Sequence, residues 1–299
     1  MEYHELIKKI CEEEKIDLKF LSDDWVKVLE KDGNVHYIQG YKFDLNGHAI
    51  ASILDDKGLF YDLVTSFDLP IIEHKVLFSD YNKYDAINYF KKNNNTLIVK
   101  GNLGTCGKEV FLVKDEQELF ETIDNLFLKQ FSISLCPYYD ILHEYRVIVL
   151  DKKVRVVYGK KRPEIIGNGK NTTYELACMF NEFYLDNKDL LLNADIIPQK
   201  GEKILLNYQF NLSKGAKMFL DIDDRLKEEI TSLALEVANK TGITFGSIDI
   251  IHTRDNKLLV MEANSGVMMD NYIKQDEQNG RTIAYNLYRD AIKLMFDKK

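Results

Sequence analysis

The 299-residue chain predicts an α+β fold, with helices and antiparallel hairpins in mixed order and not a doubly wound parallel sheet. Two observations carry this. Apolar, β-branched runs come in pairs joined by short polar turns, and amphipathic stretches at helical spacing separate the pairs. Residues 96–100 form the first such strand and 109–113 its partner, with a loop carrying three glycines between them. Asp115 then caps a helix whose apolar positions Leu119, Ile123, Leu126 and Phe127 follow the helical period. Strands follow at 132–135, 145–150 and 154–158, the last two joined as a hairpin through 151–153. Leu226, Ile230, Leu233 and Val237 mark another helix, opened by Asp223 and ended by Gly242. A final helix covers 283–295.

The most telling pair of strands is 245–251 with 258–261. With Asp255 and Asn256 as the two central turn residues, Ile251 pairs Val260, Ile250 pairs Met261, and Asp249 lies opposite Glu262. Asn264 shares their face, two residues on. Like charges directly across a sheet destabilise it by roughly 0.2–1 kcal/mol, so this arrangement needs a reason. A hard divalent cation supplies one, since Mg²⁺ takes oxygen ligands, commonly one or two carboxylates beside nucleotide phosphates. A register slipped by one residue, which turns the acids to solvent, is the competing reading.

Composition bounds the function. At 45% hydrophobic, 29% charged and a net charge of -8, the chain is expected to be a soluble globular protein that binds neither nucleic acid nor an anionic membrane. Cys11, Cys106, Cys136 and Cys178 are far apart, with no CxxC pair and no zinc spacing, which predicts reduced thiols in a cytoplasmic protein. No stretch approaches the length needed to span a bilayer.

KGNLGTCGKE, residues 100–109, has glycines at 101, 104 and 107 and lysines near both ends, a composition that lets backbone N–H groups approach phosphate oxygens. It is not a Walker loop. That motif needs Gly where Asn102 stands and Ser or Thr where Glu109 stands, and then a helix where a strand is predicted. The dinucleotide pattern fails as well, because no helix opens at the third glycine. A glycine-rich flap between two strands remains, with Lys100 on its floor; an ordinary hairpin loop is the plainer alternative.

Taken in order from about residue 35 to 270, these motifs resemble the ATP-grasp superfamily, and within it the ligase module of cyanophycin synthetase and bifunctional glutathione synthetase. DDKGLFYDLVTSFDLPI, residues 55–71, resembles the module's Asp-Lys segment and following helix. HEYRVIVLDKKVRVVYGKKRPEIIGNGKNT, 143–172, resembles its acidic-Tyr-Arg hairpin, basic-Arg-Pro turn and Gly-x-Gly-Lys run, and NLSKGA, 211–216, its Asn-Leu-Ser box. The resemblance implies two α+β lobes clasping ATP: a short region at 1–54, a first lobe with the flap at 55–136, and a second lobe with the metal site at 137–299. It implies nucleotide contacts from Lys57, Lys100, Gly101, Gly104, Thr105, Gly107, Lys108, Pro137, Tyr138, Tyr139, Glu144 and Lys160. Glu144 is placed on the ribose. Lys100, Arg146, Arg162 and Asn211 are implied at the reacting groups, and Asp249, Glu262 and Asn264 on one or two Mg²⁺ ions, or Mn²⁺.

The implied activity is ATP-dependent carboxylate–amine ligation through an acyl phosphate, on an amino acid or small peptide, with a homodimer as a candidate assembly. Three departures support an alternative, a nucleotide-binding regulatory module without ligase activity: Asn207 replaces an arginine before the Asn-Leu-Ser box, the run after Asn264, through Met268 and Met269, lacks proline, and the region before Asp55 is short beside a full amino-terminal substrate lobe. Pro137 stands where an acidic hinge residue is usual, which bears on the adenine contact. His74, His143 and His252 have no evident partner in this scheme and read as structural; Trp25 reads as packing.

Overall fold

The computed structural model describes residues 2–103 and 109–297. It forms two compact units, one of residues 1–157 with 223–299 and one of residues 158–222. The expected lobe boundaries after residues 54 and 136 both lie within the first unit.

The first unit opens with α1 (Glu2–Glu13), which buries Tyr3, Leu6, Ile7 and Ile10 at helical spacing. A meander follows of β1 (Asp17–Leu21), β2 (Val26–Lys31), β3 (Asn34–Gln39) and β4 (Lys42–Phe43). Asp32 and Gly33, both at positive φ, make the two-residue turn between β2 and β3, the geometry whose twist matches a hairpin. After α2 (His48–Leu54) comes α3 (Lys57–Thr65), capped by the Asp56 carboxylate accepting from the Leu59 N–H. Gly58 is required there. A Cβ at this position would lie 2.2 Å from Val76 Cγ2.

β5 (Lys75–Phe78), α4 (Lys83–Lys92), β6 (Leu97–Gly101), β7 (Val110–Val113), α5 (Glu116–Phe127) and β8 (Ser132–Pro137) follow. The strands form an antiparallel sheet in the order β5-β8-β6-β7. Its core joins Leu97, Val99, Ile133 and Leu135 to Phe90 of α4 and Leu119 and Ile123 of α5. The flap segment is thus bounded by strands on both sides, as expected.

β9 (Ile141–Leu150) and β10 (Lys153–Lys161) form a hairpin whose turn residues Asp151 and Lys152 both have positive φ. Beyond Val157 the chain enters the second unit, with β11 (Glu164–Ile166), α6 (Thr173–Phe180), β12 (Lys203–Leu205) and β13 (Lys217–Phe219). There β11 pairs with β12, and Lys160 at the end of β10 lies opposite Met218 of β13. Thr172 and Glu175 close a capping box on α6. Ile165, Ala177, Tyr184 and Leu206 form this unit's core.

The chain returns to the first unit through α7 (Asp224–Thr241), capped by Asp223 and ended by Gly242 in the left-handed region. β14 (Phe245–Thr253) and β15 (Leu258–Asn264) extend the sheet begun by β9 and β10, with β14 between β9 and β15. α8 (Asp270–Gln275) and α9 (Gly280–Asp297) complete the unit, α9 against α1. The α+β class holds. No helix among the described residues is long and apolar enough to cross a membrane.

Candidate active site

Asp249 on β14 lies directly opposite Glu262 on β15, and Asn264 opposite Ser247. The expected face is therefore formed, although the turn that leads to it differs. Asn256 is in the left-handed region, and Thr253 and Lys257 are joined by a backbone hydrogen bond of 3.0 Å, so the loop has three residues, Arg254 to Asn256. This moves the pairing by one: Ile250 faces Val260 and Ile251 faces Leu259, not the expected Met261 and Val260. A bulge after Asp249 leaves Met261 as the extra residue and restores the register at Glu262.

Each acid already has a counter-charge. Arg146, opposite Asp249 on β9, donates from Nε to Oδ1 at 2.8 Å and from Nη2 to Oδ2 at 2.6 Å. A carboxylate that is 1% exposed requires such a partner. Glu262 acts on Lys57, at the start of α3, favouring its charged form; burial is the larger influence and takes the Lys57 ammonium below its ordinary range, with Lys100 adding repulsion. The repulsion noted from sequence is thus met in part by the chain itself.

Asn102 holds the two lysines in relation. Its Oδ1 accepts from the Gly58 N–H at 3.0 Å, its Nδ2 donates to Ser132 Oγ at 3.3 Å, and its backbone carbonyl accepts from Lys57 Nζ at 3.2 Å. From sequence, Asn102 counted only as the reason a Walker loop fails. Lys100 is buried on β6, opposite Ser134. His74, read from sequence as structural, is also here: Nδ1 lies 2.6 Å from Ser134 Oγ. Burial first, then Lys100 and Lys57, hold its imidazole well below the ordinary value, while the Met261 backbone acts in the other direction.

Beside these groups Ile72, Cys136 and Ile251 form an apolar cluster joined by Ile98, Tyr139, Leu259 and Met261. Burial pushes the Cys136 thiol up to about 11. Pro137 ends β8 opposite Leu97, Tyr138 is largely exposed, and the Tyr139 hydroxyl accepts from the Glu73 N–H at 3.3 Å. Glu144 is buried on β9 opposite Ile251. Gly101 ends β6; Gly104, Thr105, Gly107 and Lys108 lie outside the described residues.

Lys160, Arg162 and Asn211 belong to the second unit. Lys160 is buried, the Arg162 guanidinium lies 4.8 Å from the centre of the Phe210 ring, and Asn211 precedes a short helical turn at Leu212–Lys214. Asn207 does not stand in for the expected arginine. Its Nδ2 donates to the Tyr184 hydroxyl at 2.9 Å and its Oδ1 accepts from the Gln209 N–H at 2.8 Å, so it fastens the backbone of its own unit.

Among the described residues no group of three or more His, Cys, Asp or Glu side chains is placed to hold a metal. Two carboxylates and an amide oxygen are nonetheless, by their chemistry, the kind of donor set a hard cation takes.

No family model matches the sequence. A curated relative, the glutathione biosynthesis bifunctional protein of Clostridium perfringens, is 22% identical over 244 residues, covering 73% of this chain and 30% of its own length. UvrABC system protein C of Caldicellulosiruptor saccharolyticus is 26% identical over 211 residues, covering 69% of this chain and 30% of its own length. The chain thus spans about a third of the curated relatives it matches, and at such identities their names diverge. The backbone decides. D-alanine–D-alanine ligase from Bacillus anthracis superposes with a TM-score of 0.59 at 14% identity, over 87% of this chain and 74% of that one. The ATP-grasp ligase PsnB, complexed with a minimal precursor, does so at 0.51 and 13%, over 82% and 63%.

The chain has the ATP-grasp fold. One departure from the ATP-grasp pattern acquires a physical account: the run after Asn264 is fastened to the amino-terminal meander. Gly266 bridges Lys42, the Val267 N–H donates to the Tyr41 carbonyl at 3.1 Å, and the Tyr288 hydroxyl donates to the Val267 carbonyl at 3.0 Å.

Proposed function

We propose that this chain is an ATP-dependent carboxylate–amine ligase that forms an amide bond through an acyl phosphate, on an amino acid or small peptide. The observation that carries the reading is the facing pair Asp249 and Glu262, set beside Lys57 and Lys100. A chain that only folded would have little use for two carboxylates and two lysines crowded at one place, since each buried charge has a desolvation cost.

The chemistry follows from charge. A carboxylate does not exchange its oxygen for an amine at neutral pH, because oxide is a poor leaving group. Attack of a carboxylate oxygen on the γ-phosphorus of ATP breaks the bond to the β–γ bridging oxygen, which leaves with ADP, and makes the attacking oxygen the bridge of an acyl phosphate. The amine then attacks the acyl carbon, phosphate departs, and the nitrogen gives up a proton to solvent. Lys57 and Lys100 would offset charge on the transferring group. Asp249, Glu262 and Asn264 would hold Mg²⁺, which when bound supplies charge neutralisation on phosphate oxygens. Arg146 fixes Asp249. Arg162, Lys160 and Asn211, from the second unit, are assigned to the phosphates and the reacting carboxylate by their motif matches, and the apolar cluster around Ile72, Cys136 and Met261 suits an adenine ring.

A regulatory nucleotide-binding module is the second reading, favoured by the commitment of Asn207 to Tyr184 and Gln209. One experiment separates the two. Incubation with Mg-ATP and pools of amino acids and dipeptides should give ADP and phosphate in equal amounts with an amide product seen by mass spectrometry, and hydroxylamine should trap the acyl phosphate as a hydroxamate. Nucleotide binding with no acid-dependent ADP and no hydroxamate would favour the regulatory module.

A further inference from the structure

Along β14 and β15 the groups of the site follow one another in a line. At one end Ile251, Leu259 and Met261 join Ile72 and Cys136 in the apolar cluster; next Asp249 lies opposite Glu262, and then Ser247 opposite Asn264. Two residues past Asn264 the chain meets a new neighbour. Gly266 bridges Lys42 of β4, so closely that a Cβ on Gly266 would stand 3.5 Å from Lys42 Cγ and 3.6 Å from Tyr41 Cβ. Lys42 Nζ donates to the Asp55 carboxylate. Asp55 closes α2, Asp56 caps α3 and Lys57 begins it, and both helices lie against β15. An ammonium and a carboxylate, 40% and 42% exposed, thus stand at the end of the line remote from the apolar cluster. Gly266 is about 7 Å beyond Asn264, the rise of two extended residues.

We propose that Lys42 and Asp55 are specificity residues that bind the α-carboxylate and the α-ammonium of a free amino acid, which then reacts through a carboxylate on its side chain. In the ligase reading the base occupies the apolar cluster and the phosphates lie at Lys57 and the Asp249–Glu262 pair, so the acid to be phosphorylated approaches from the other end, where Lys42 and Asp55 are met. The place of the reacting group rests on that reading. A zwitterion suits the pair because it can insert between the two side chains, giving each a partner of opposite charge in a charge-assisted hydrogen bond and adding no net charge. A simple carboxylate would take Lys42 and leave Asp55 without its ammonium, and a simple amine would do the reverse. With both α groups held, the attacking oxygen comes from the side chain. It forms the bond to the γ-phosphorus as the β–γ bridging oxygen leaves with ADP; the amine then displaces phosphate from the side-chain carbonyl and gives its proton to solvent.

The test uses the full chain as wild type, Lys42→Met and Asp55→Asn. An exposed ion pair contributes little to stability, so both variants should fold; Lys42→Gln and Asp55→Ser give the same contrast should either not. Calorimetry, with a non-hydrolysable ATP analogue and Mg²⁺ present, reads binding of L-aspartate, L-glutamate and L-α-aminoadipate, each free, N-acetylated and as its α-amide. One of these acids should bind the wild type, and blocking either α group should weaken it about tenfold, as loss of a hydrogen bond to a charged group does. Asp55→Asn should weaken the free acid by a similar factor and leave its N-acetyl form as in the wild type, whereas Lys42→Met should weaken the free acid and leave the α-amide. Equal weakening of free and blocked forms, or no binding of any of the acids, would overturn the role of the pair. Hydroxylamine trapping distinguishes this outcome from failure of the ligase reading. A hydroxamate from an acid that binds equally well with its α groups blocked would keep ligation and remove the pair, while the crossed binding pattern with neither ADP nor hydroxamate would keep the pair and count against ligation.

Discussion

Arg146 and Asp249 face one another across neighbouring strands, joined by two hydrogen bonds of 2.8 and 2.6 Å. The Asp249 side chain is 1% exposed and the Arg146 side chain 26%, so the carboxylate depends on the guanidinium for its charge. Glu262 lies on the other side of Asp249 and acts on Lys57. The centre of the site is thus two acids flanked by two cations.

Replacing Arg146 should therefore cost stability before it costs chemistry. Arg146→Met is expected to lose about 3–5 kcal/mol, the range for stripping one partner from a buried ion pair, as measured by urea unfolding. Arg146→Lys should fall between, since an ammonium cannot fork. Much of the loss should be recovered in Arg146→Met with Asp249→Leu, where no orphan charge remains. A single Arg146→Met variant as stable as the wild type would remove the pair from this account.

Glu262→Gln keeps the size and removes the charge. The fold should persist, and ATP turnover should drop by about 100-fold, as when a group that stabilises transition-state charge is removed. Glu262 also favours the Lys57 ammonium, so Lys57 should become easier to acylate near neutral pH in this variant. Turnover near the wild-type rate at limiting Mg²⁺ would contradict the metal assignment.

Asn102→Ala removes the acceptor of the Gly58 N–H and the donor to Ser132 Oγ. A loss of about 1–3 kcal/mol is expected from buried groups left unsatisfied, with weaker nucleotide binding because α3 loses its Gly58 anchor and is held to the end of β6 only through the Asn102 carbonyl. Unchanged affinity in a destabilised variant would confine Asn102 to the fold.

Much of this was legible in the residues. Period-two and helical patterns located β6 to β10, β14, β15, α5, α7 and α9, and Asp115, Asp223 and Gly242 marked helix ends where the structure has them; α1, the β1–β4 meander, α4 and α6 were not read from them. The Asp249–Glu262 pairing was reached through a two-residue turn, whereas the chain uses a three-residue loop and a bulge whose shifts cancel at that point. A bulge leaves no local mark when its residues, here Val260 to Glu262, still read as a strand. Asn102 and His74 were illegible for another reason. Their roles depend on partners 30 to 44 residues away for Asn102 and 60 residues away for His74, and spacing along one segment cannot show what a distant strand brings beside it.

The pH dependence of stability tests the environment of His74. Burial and the charges facing the ring, Lys57 on α3 and Lys100 on β6, hold its folded pKa well below the ordinary 6.5. The unfolded chain therefore takes up a proton near that value that the native chain refuses, and stability must rise with pH across the interval. Read toward acid, the contribution is fully present above about pH 7.5 and is lost as pH falls from roughly 6.5 toward the folded value. Urea unfolding of the wild type and His74→Gln in steps from about pH 8 to 5 should show a shallower slope in the variant, since glutamine does not titrate. Carboxylates protonating at the acid end affect both proteins and cancel in the difference. Parallel profiles would mean that the native ring accepts its proton as readily as the unfolded one, which two lysines beside a buried imidazole do not allow.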